Sequence, residues 1–303
     1  MLLKNKKIAV LCGGLSEERE ISLRTGEAIF NALKKLKFKA VKIDAQKDLA
    51  ARLLRQKIDF CFIALHGKGG EDGVVQGLCE SLQIPHTGSG VLASALTMNK
   101  IAAKRVLKSE GFLSAKFVVA GARDLKALPR PGPFPWIVKP ADSGSAFGVS
   151  LVHKKNELGK AARNALQYSR QILIEEYIQG TEISVPILGA RALPIIQIVP
   201  QDSPFYDFKA KYVQGASRHI IPAEISANLT RKIQNIALRI HHLLGCRAFS
   251  RIDFILDKKG RAFFLEVNTM PGMTQTSLFP ESARAAGITF EKLVAQMIAL
   301  SLP

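Results

Sequence analysis

Apolar residues follow two rhythms in the first third of this chain. Ile8-Ala9-Val10-Leu11 and Phe60-Cys61-Phe62-Ile63-Ala64-Leu65 are unbroken apolar runs, the pattern of strands covered on both faces. Between them Ile21, Thr25, Ala28, Ile29, Ala32, Leu33 and Leu36 recur at helical spacing, which predicts an amphipathic helix from about residue 22. A second strand is expected over 40–43 and a second helix over 49–54. Strand alternating with helix across 7–88 predicts a parallel α/β unit. Its glycine-rich turns, Gly13-Gly14 and the loop 66–73, then fall at the carboxyl ends of strands, where such sheets bind ligands.

The pattern changes after residue 97. A helix over 99–110 is stopped by Gly111, the residue type that best tolerates a left-handed helix end. Strands are expected over 136–140, 149–152 and 172–178, with a small-residue loop over 141–148. Further strands follow over 182–188 and 191–199. A helix carrying Ile233, Ala237, Ile240 and Leu244 stops at Gly245, and a last helix covers 289–300. Residues 202–219 carry few apolar positions besides aromatics, as expected of a functional lid. The expected units are 1–97, 98–178 and 179–303.

The segments Ser250-Arg251-Ile252-Asp253-Phe254-Ile255-Leu256 and Phe263-Phe264-Leu265-Glu266-Val267-Asn268 read as a hairpin. Side chains alternate across a strand, so Arg251, Asp253 and Ile255 share one face, and Glu266 and Asn268 share one on the next strand. A four-residue loop over 258–261 sets Asp253 opposite Glu266. Two carboxylates and an amide beside an arginine form an all-oxygen site suited to Mg²⁺. An ordinary polar hairpin face is disfavoured, because acids on a half-buried sheet need partners.

Neither G-x-G-x-x-G nor G-x-x-x-x-G-K-[ST] occurs, so the common phosphate-loop patterns are not available. The loop 141–148 joins two strands instead, and its backbone N–H groups suit phosphate. Lys139 ends the strand before that loop and Lys100 opens a helix; both are point charges fit for phosphate. The strand 172–178 runs into Glu175 and Glu176, which either cap an edge strand or lead into a linker that binds adenine, with Glu182 placed for a ribose. Glu18 and His66 fall at the ligand edge of the parallel sheet.

Composition narrows the class. Hydrophobic residues make up 47% of 303, enough for two or three packed domains. No apolar run spans a membrane, and the start of the chain lacks a signal-peptide pattern; a cytoplasmic protein is expected. Cys12, Cys61, Cys79 and Cys246 show no C-x-x-C pair and read as small core residues in a reducing compartment. Lys and Arg number 43 against 25 Asp and Glu, a net +18. That opens a nucleic-acid-binding alternative, but the lysines are scattered without interleaved aromatics; the plain reading is a solvated basic surface, which would also help a polyanionic substrate such as ATP.

Several motifs in one order carry a resemblance over nearly the whole chain. They are Gly13-Gly14-Leu15-Ser16-Glu17-Glu18-Arg19-Glu20-Ile21-Ser22, Leu65-His66-Gly67-Lys68-Gly69-Gly70-Glu71-Asp72-Gly73, Val138-Lys139-Pro140 with Gly144-Ser145, Ala210-Lys211-Tyr212, Arg251-Ile252-Asp253, and Glu266-Val267-Asn268-Thr269-Met270-Pro271-Gly272-Met273-Thr274. The chain resembles the D-alanine–D-alanine ligases of the ATP-grasp superfamily. The resemblance implies an α/β protein of three-domain architecture, a parallel N-terminal unit followed by two α+β units that clamp ATP. It implies two D-alanines joined through a D-alanyl phosphate for peptidoglycan synthesis, with no covalent enzyme intermediate, in a cytoplasmic homodimer that binds neither nucleic acid nor membrane. Another ATP-grasp carboxylate–amine ligase, or a D-alanine–D-lactate ligase, is the alternative.

By the same resemblance, Lys100, Lys139 and Lys211 are phosphate or nucleotide ligands. Glu175, Tyr177, Ile178 and Glu182 form the adenine and ribose segment. Asp253, Glu266 and Asn268 hold two Mg²⁺ ions, with Mn²⁺ as a substitute. Arg251 and the N–H of Gly272 are oxyanion donors. Glu18 fixes the first ammonium with His66 nearby, and Ser277 and Leu278 receive the second substrate. Ser145 and Tyr212 link to Glu18 and lock the 202–219 segment. The tyrosine at 212 favours peptide over ester formation. Two positions depart from the family pattern: Ala146-Phe147 stands where a serine and a smaller apolar residue are common, which removes a side-chain phosphate contact at 146, and Glu176 stands where a lysine often follows the first acid.

Overall fold

A computed structural model of the chain describes residues 3, 5–201, 213 and 215–302. Three sheets organise it. The first is parallel, with β1 (Lys7–Cys12) between β2 (Lys39–Asp44) and β3 (Phe60–Ile63). Ile8, Ala9, Val10 and Leu11 are fully buried, as the unbroken apolar run predicts. Helix α1 (Arg19–Lys35) packs on it, followed by α2 (Leu49–Arg55), α3 (Val74–Ser81) and α4 (Val91–Met98). The buried face of α1 uses Ser22 and Gly26 besides Thr25, Ile29, Ala32 and Leu33; Ile21 and Ala28, expected inward, are only partly covered. Gly26 explains the shift. A Cβ there would stand 2.4 Å from the Cys12 Cβ, so the helix rides against the strand on its smallest residue.

The second sheet is antiparallel, in the order β4 (Phe117–Gly121), β7 (Gln171–Glu176), β5 (Trp136–Pro140) and β6 (Ser150–Val152). Helix α6 (Lys155–Ala165) covers it with Leu158, Ala161, Ala162 and Ala165. The third runs β11 (Ser217–Ile220), β10 (Ile196–Pro200), β8 (Thr181–Leu188), β12 (Phe249–Leu256) and β13 (Ala262–Asn268), with the short β9 (Arg191–Ala192) beside β8. Helix α7 (Ala227–Leu243) packs on this sheet through Ile233, Ala237 and Ile240. The strand expected over 191–199 is thus two strands, broken at Leu193-Pro194-Ile195, where proline has no N–H for a ladder.

Helix α5 (Lys100–Ser109) lies between the two antiparallel sheets. Ile101 packs with Ala141 and Leu173 of one, and Ala103 and Leu107 pack with Ile183, Val185 and Phe254 of the other. Asn99 caps it by accepting the Ala102 N–H at 2.9 Å, and Gly111 ends it at φ +77. Helices α8 (Leu278–Ala285) and α9 (Phe290–Ser301) return to the first unit. Phe279, Leu293, Val294 and Met297 share one core with Ile8, Ile29 and Phe62. Among the described residues no helix is long and apolar enough to cross a membrane.

Candidate active site

The hairpin β12–β13 pairs Asp253 with Glu266 and Arg251 with Asn268. The route to that register differs from expectation. Leu256 pairs with Ala262, so the loop is one residue longer than four, and a bulge after Asp253 restores the count. The bulge also switches the phase of β13. Phe264 and Val267, three residues apart, enter the same core, which a regular strand forbids. Glu266 and Asn268 are thereby turned to the opposite side.

Two cavities meet at this hairpin. The first, about 170 Å³, is lined by Glu18, His66, Ser145, Arg251, Gly272 and Ser277, with Leu278 at its edge. The second, about 120 Å³, is lined by Lys139, Glu175, Tyr177, Ile178 and Glu182. Lys100 and Glu266 line both. Their charged ends lie 3.2 Å apart, and Lys100 also donates to the Ser143 carbonyl at 2.7 Å. They form a common wall where groups entering from either side come together.

In the first cavity Ser145 Oγ donates to Glu18 Oε2 at 2.6 Å. This bond ties the small-residue loop to the start of α1. Gly144 permits it, since a Cβ there would stand 2.6 Å from Glu18 Oε1. Ser145 and Ala146 take left-handed φ of 50° and 58°, strained for residues with a Cβ. The Ser16 hydroxyl donates to the His66 carbonyl at 2.7 Å and fixes the two glycine-rich turns together. His66 lies between Thr25 Oγ1 at 3.0 Å and Glu71 Oε1 at 3.3 Å. Across the cavity Ser277 Oγ is 2.7 Å from Thr274 Oγ1, and Gly272 leaves it room, a Cβ there being 2.9 Å from Ser277 Oγ.

Asp253, 3% exposed, is held from two sides. Arg251 donates through Nε at 3.0 Å and through a terminal nitrogen at 2.7 Å, and Ser184 donates at 2.6 Å. A carboxylate has about four lone-pair sites, so an orientation fixed by three donors still leaves capacity for a cation. Asn268 Oδ1 accepts the Met270 N–H at 2.8 Å, and an amide oxygen has a second lone pair. With Glu266, this is an oxygen donor set whose orientation is set by neighbouring groups, which fits a hard divalent cation. No group of three or more His, Cys, Asp or Glu side chains that could by themselves hold a metal ion occurs among the described residues; the third donor here is an amide.

In the second cavity Glu175 is 3% exposed and bridges two lysines. Lys104 Nζ lies 3.1 Å from Oε1 and Lys139 Nζ 2.9 Å from Oε2. Burial alone raises a carboxyl pKa; here the two ammonium groups outweigh it and hold Glu175 below its usual range. Burial draws Lys104 down to about 8, with Glu175 opposing and Lys139 adding to that fall. Lys104 and Ser184 are functional neighbours that no motif marks, and Glu71 is marked only as a member of the glycine-rich loop. Of the first two, only Lys104 had a signal, its i+4 spacing from Lys100 on one helix face. The Glu175 side chain is therefore an ion-pair centre, not an edge-strand cap; its strand pairs on both sides. The N–H groups of Glu176 and Tyr177 go to the Lys116 and Pro135 carbonyls, so a base held here uses other groups of this segment. Lys211 and Tyr212, with most of 202–219, lie outside the described residues.

A model of the D-ala D-ala ligase C-terminus matches residues 110–299, and one of the N-terminus matches 45–89. The D-alanine–D-alanine ligase of Carboxydothermus hydrogenoformans is 46% identical over 98% of each chain. That of Geotalea uraniireducens is 48% identical over 98% of this chain and 96% of its own. Among solved structures, the Bacillus anthracis D-alanine–D-alanine ligase complexed with ATP is similar at TM-score 0.86 and 34% identity, covering 98% of this chain and 97% of its own. The VanG D-Ala:D-Ser ligase of Enterococcus faecalis is similar at TM-score 0.82 and 30% identity, covering 98% of this chain and 100% of its own. The chain belongs to the D-alanine–D-alanine ligase family and has its ATP-grasp fold.

Proposed function

We propose that the protein joins two D-alanines to D-alanyl-D-alanine at the expense of ATP, in the cytoplasm, as a step toward peptidoglycan. The observation that carries this reading is the common wall of Lys100 and Glu266 between the two cavities. A carboxylate held in the first cavity would meet there a terminal phosphate reaching in from the second. Unit 1–97 binds the amino-acid substrate together with residues of the other two units, and units 98–178 and 179–303 are the two jaws of the nucleotide site. A homodimer without affinity for nucleic acid completes the reading.

In this mechanism the first D-alanine places its ammonium on Glu18, an anion oriented by Ser145. A carboxylate oxygen attacks the γ-phosphorus, and the bond to ADP breaks. Lys100 and Lys139 offset phosphate charge during transfer. Asp253, Glu266 and Asn268 would hold two Mg²⁺ ions, or Mn²⁺, which supply further neutralisation of phosphate charge. The amine of the second D-alanine, placed by Ser277 and Leu278, attacks the acyl carbonyl. Arg251 and the Gly272 N–H face the developing oxyanion. Phosphate leaves with the oxygen that came from the first carboxylate, and the amine loses its proton. The reaction needs positioning and charge stabilisation rather than an enzyme nucleophile. The VanG neighbour is a D-Ala:D-Ser ligase, so the second substrate is the open variable; Tyr212 favours an amine.

The test is ADP release with ATP and Mg²⁺ across D-alanine, L-alanine, D-serine, and D-alanine with D-lactate, with products identified by mass. Release that requires D-alanine and yields the dipeptide supports the reading. Release with another pair keeps the chemistry and moves the substrate. No substrate-dependent release from folded protein refutes it.

A further inference from the structure

We propose that Lys104 is a positioning residue of the nucleotide site: it fixes the Glu175 carboxylate, and through it the ammonium of Lys139, in the geometry that receives ATP. This rests on the nucleotide reading of the second cavity.

Lys104 is fully buried, a rare state for a lysine unless it is paired. Its ammonium is 3.1 Å from Glu175 Oε1 and donates to the Phe264 carbonyl at 3.3 Å. The first contact reaches the four-stranded sheet and the second reaches the bulged strand of the other sheet. Lys104 therefore pins both jaws of the cavity to α5. Glu175 in turn holds Lys139 through its other oxygen, at 2.9 Å. Both lysines and Glu175 line the cavity, so the triad presents one net positive charge there.

The arrangement makes physical demands that a hydrophobic filler would not meet. A carboxylate between two ammonium groups stays ionised and only accepts hydrogen bonds. With Lys104 gone, Glu175 would keep a single partner and would draw Lys139 fully into an ion pair. The buried group would change from one net positive charge to none, and Lys139 would be less available to phosphate or base. The loss falls on nucleotide binding, because Lys104 is not among the residues lining the amino-acid cavity.

The experiment uses the full-length enzyme with ATP, Mg²⁺ and D-alanine. For Lys104→Met that unfolds cooperatively, KM for ATP should rise roughly 10- to 100-fold, the range for a lost hydrogen bond to a charged group. KM for D-alanine should stay within about twofold, and Lys104→Arg should recover part of the loss by restoring charge. An unchanged KM for ATP, or equal losses for ATP and D-alanine, overturns the proposal. If the methionine variant does not fold, Lys104→Arg alone decides: a rise in KM for ATP without one for D-alanine supports it, and unchanged values overturn it. A wild-type enzyme with no ATP-dependent turnover would refute the nucleotide reading itself, a failure distinct from these.

Discussion

Glu266 is the residue on which the two cavities depend together. It faces Lys100 at 3.2 Å and stands opposite Asp253 on the paired strand. Glu266→Gln keeps the shape and removes the charge. The expected outcome is a normal thermal transition with turnover lost; near-normal turnover in a saturating-substrate assay would remove Glu266 from the chemistry. Arg251 grips Asp253 at 2.7 Å, and the proposed mechanism adds an oxyanion contact. Arg251→Ala should cost about 2.7–4 kcal/mol in the barrier, the scale of a lost oxyanion donor, read as a fall in kcat. A loss below about tenfold would confine Arg251 to holding Asp253. At this scale the sequence revealed the acids and Arg251 through alternation alone. It did not reveal Ser184, which reaches Asp253 from a strand 69 residues away in the chain.

At the scale of elements, agreement between sequence and structure has two causes. Helix ends were legible because glycine marks them: Gly111 and Gly245 sit at φ +77 and +69. The Asp253–Glu266 pairing was legible for a different reason, because a longer loop and a bulge cancel. Loop length alone would have turned Glu266 to the wrong face. Helices α3, α4, α6 and α8 and strands β4 and β11 had no clear signal; β11 pairs Ser217, Arg218 and His219, expected in the irregular segment 202–219, with β10. α3 and α8 have only eight residues each, too few turns for a clear period. The inward face of α1 departs from the apolar pattern at Ser22, whose hydroxyl donates to the buried Ala64 carbonyl at 2.8 Å, and at Gly26, where close approach to Cys12 selects the smallest residue. Gly26→Val tests that contact. It should lower stability by about 1–3 kcal/mol as overpacking does, measured as a shift in denaturant midpoint; an unchanged midpoint would contradict the packing described.

The whole molecule should weaken as pH falls, for two reasons of the same sign. Burial, with His242 nearby, depresses the pKa of His241 from 6.5 to about 4. The unfolded chain takes up a proton at 6.5 and the folded one only near 4, so the stability from the neutral imidazole is complete above 6.5 and lost on the way down to 4. A displacement of that size corresponds to about 3 kcal/mol. His241 Nδ1 lies 2.7 Å from Ser250 Oγ, so His241→Gln will alter stability at every pH; the informative quantity is the slope, which should flatten between pH 6.5 and 4 in urea titrations. An unchanged slope would assign the acid sensitivity elsewhere. Asp44, whose carboxyl the Arg19 guanidinium holds well below its ordinary value, adds a further loss below about pH 4.

The change in rhythm after residue 97 matches the passage from the parallel sheet to the antiparallel ones, whereas the return of α8 and α9 to the first core had no signal in the sequence. Apolar periodicity tells which face is buried but not which core receives it. That return brings Ser277 and Leu278 into the lining of the first cavity, beside Lys100 and Glu266. The claim that a carboxylate meets a phosphate at this wall has a direct test. D-alanine labelled with ¹⁸O in its carboxylate is turned over with ATP, and the released inorganic phosphate is weighed by mass spectrometry. The account predicts one labelled oxygen in each phosphate formed. Unlabelled phosphate, released with dipeptide, would contradict it.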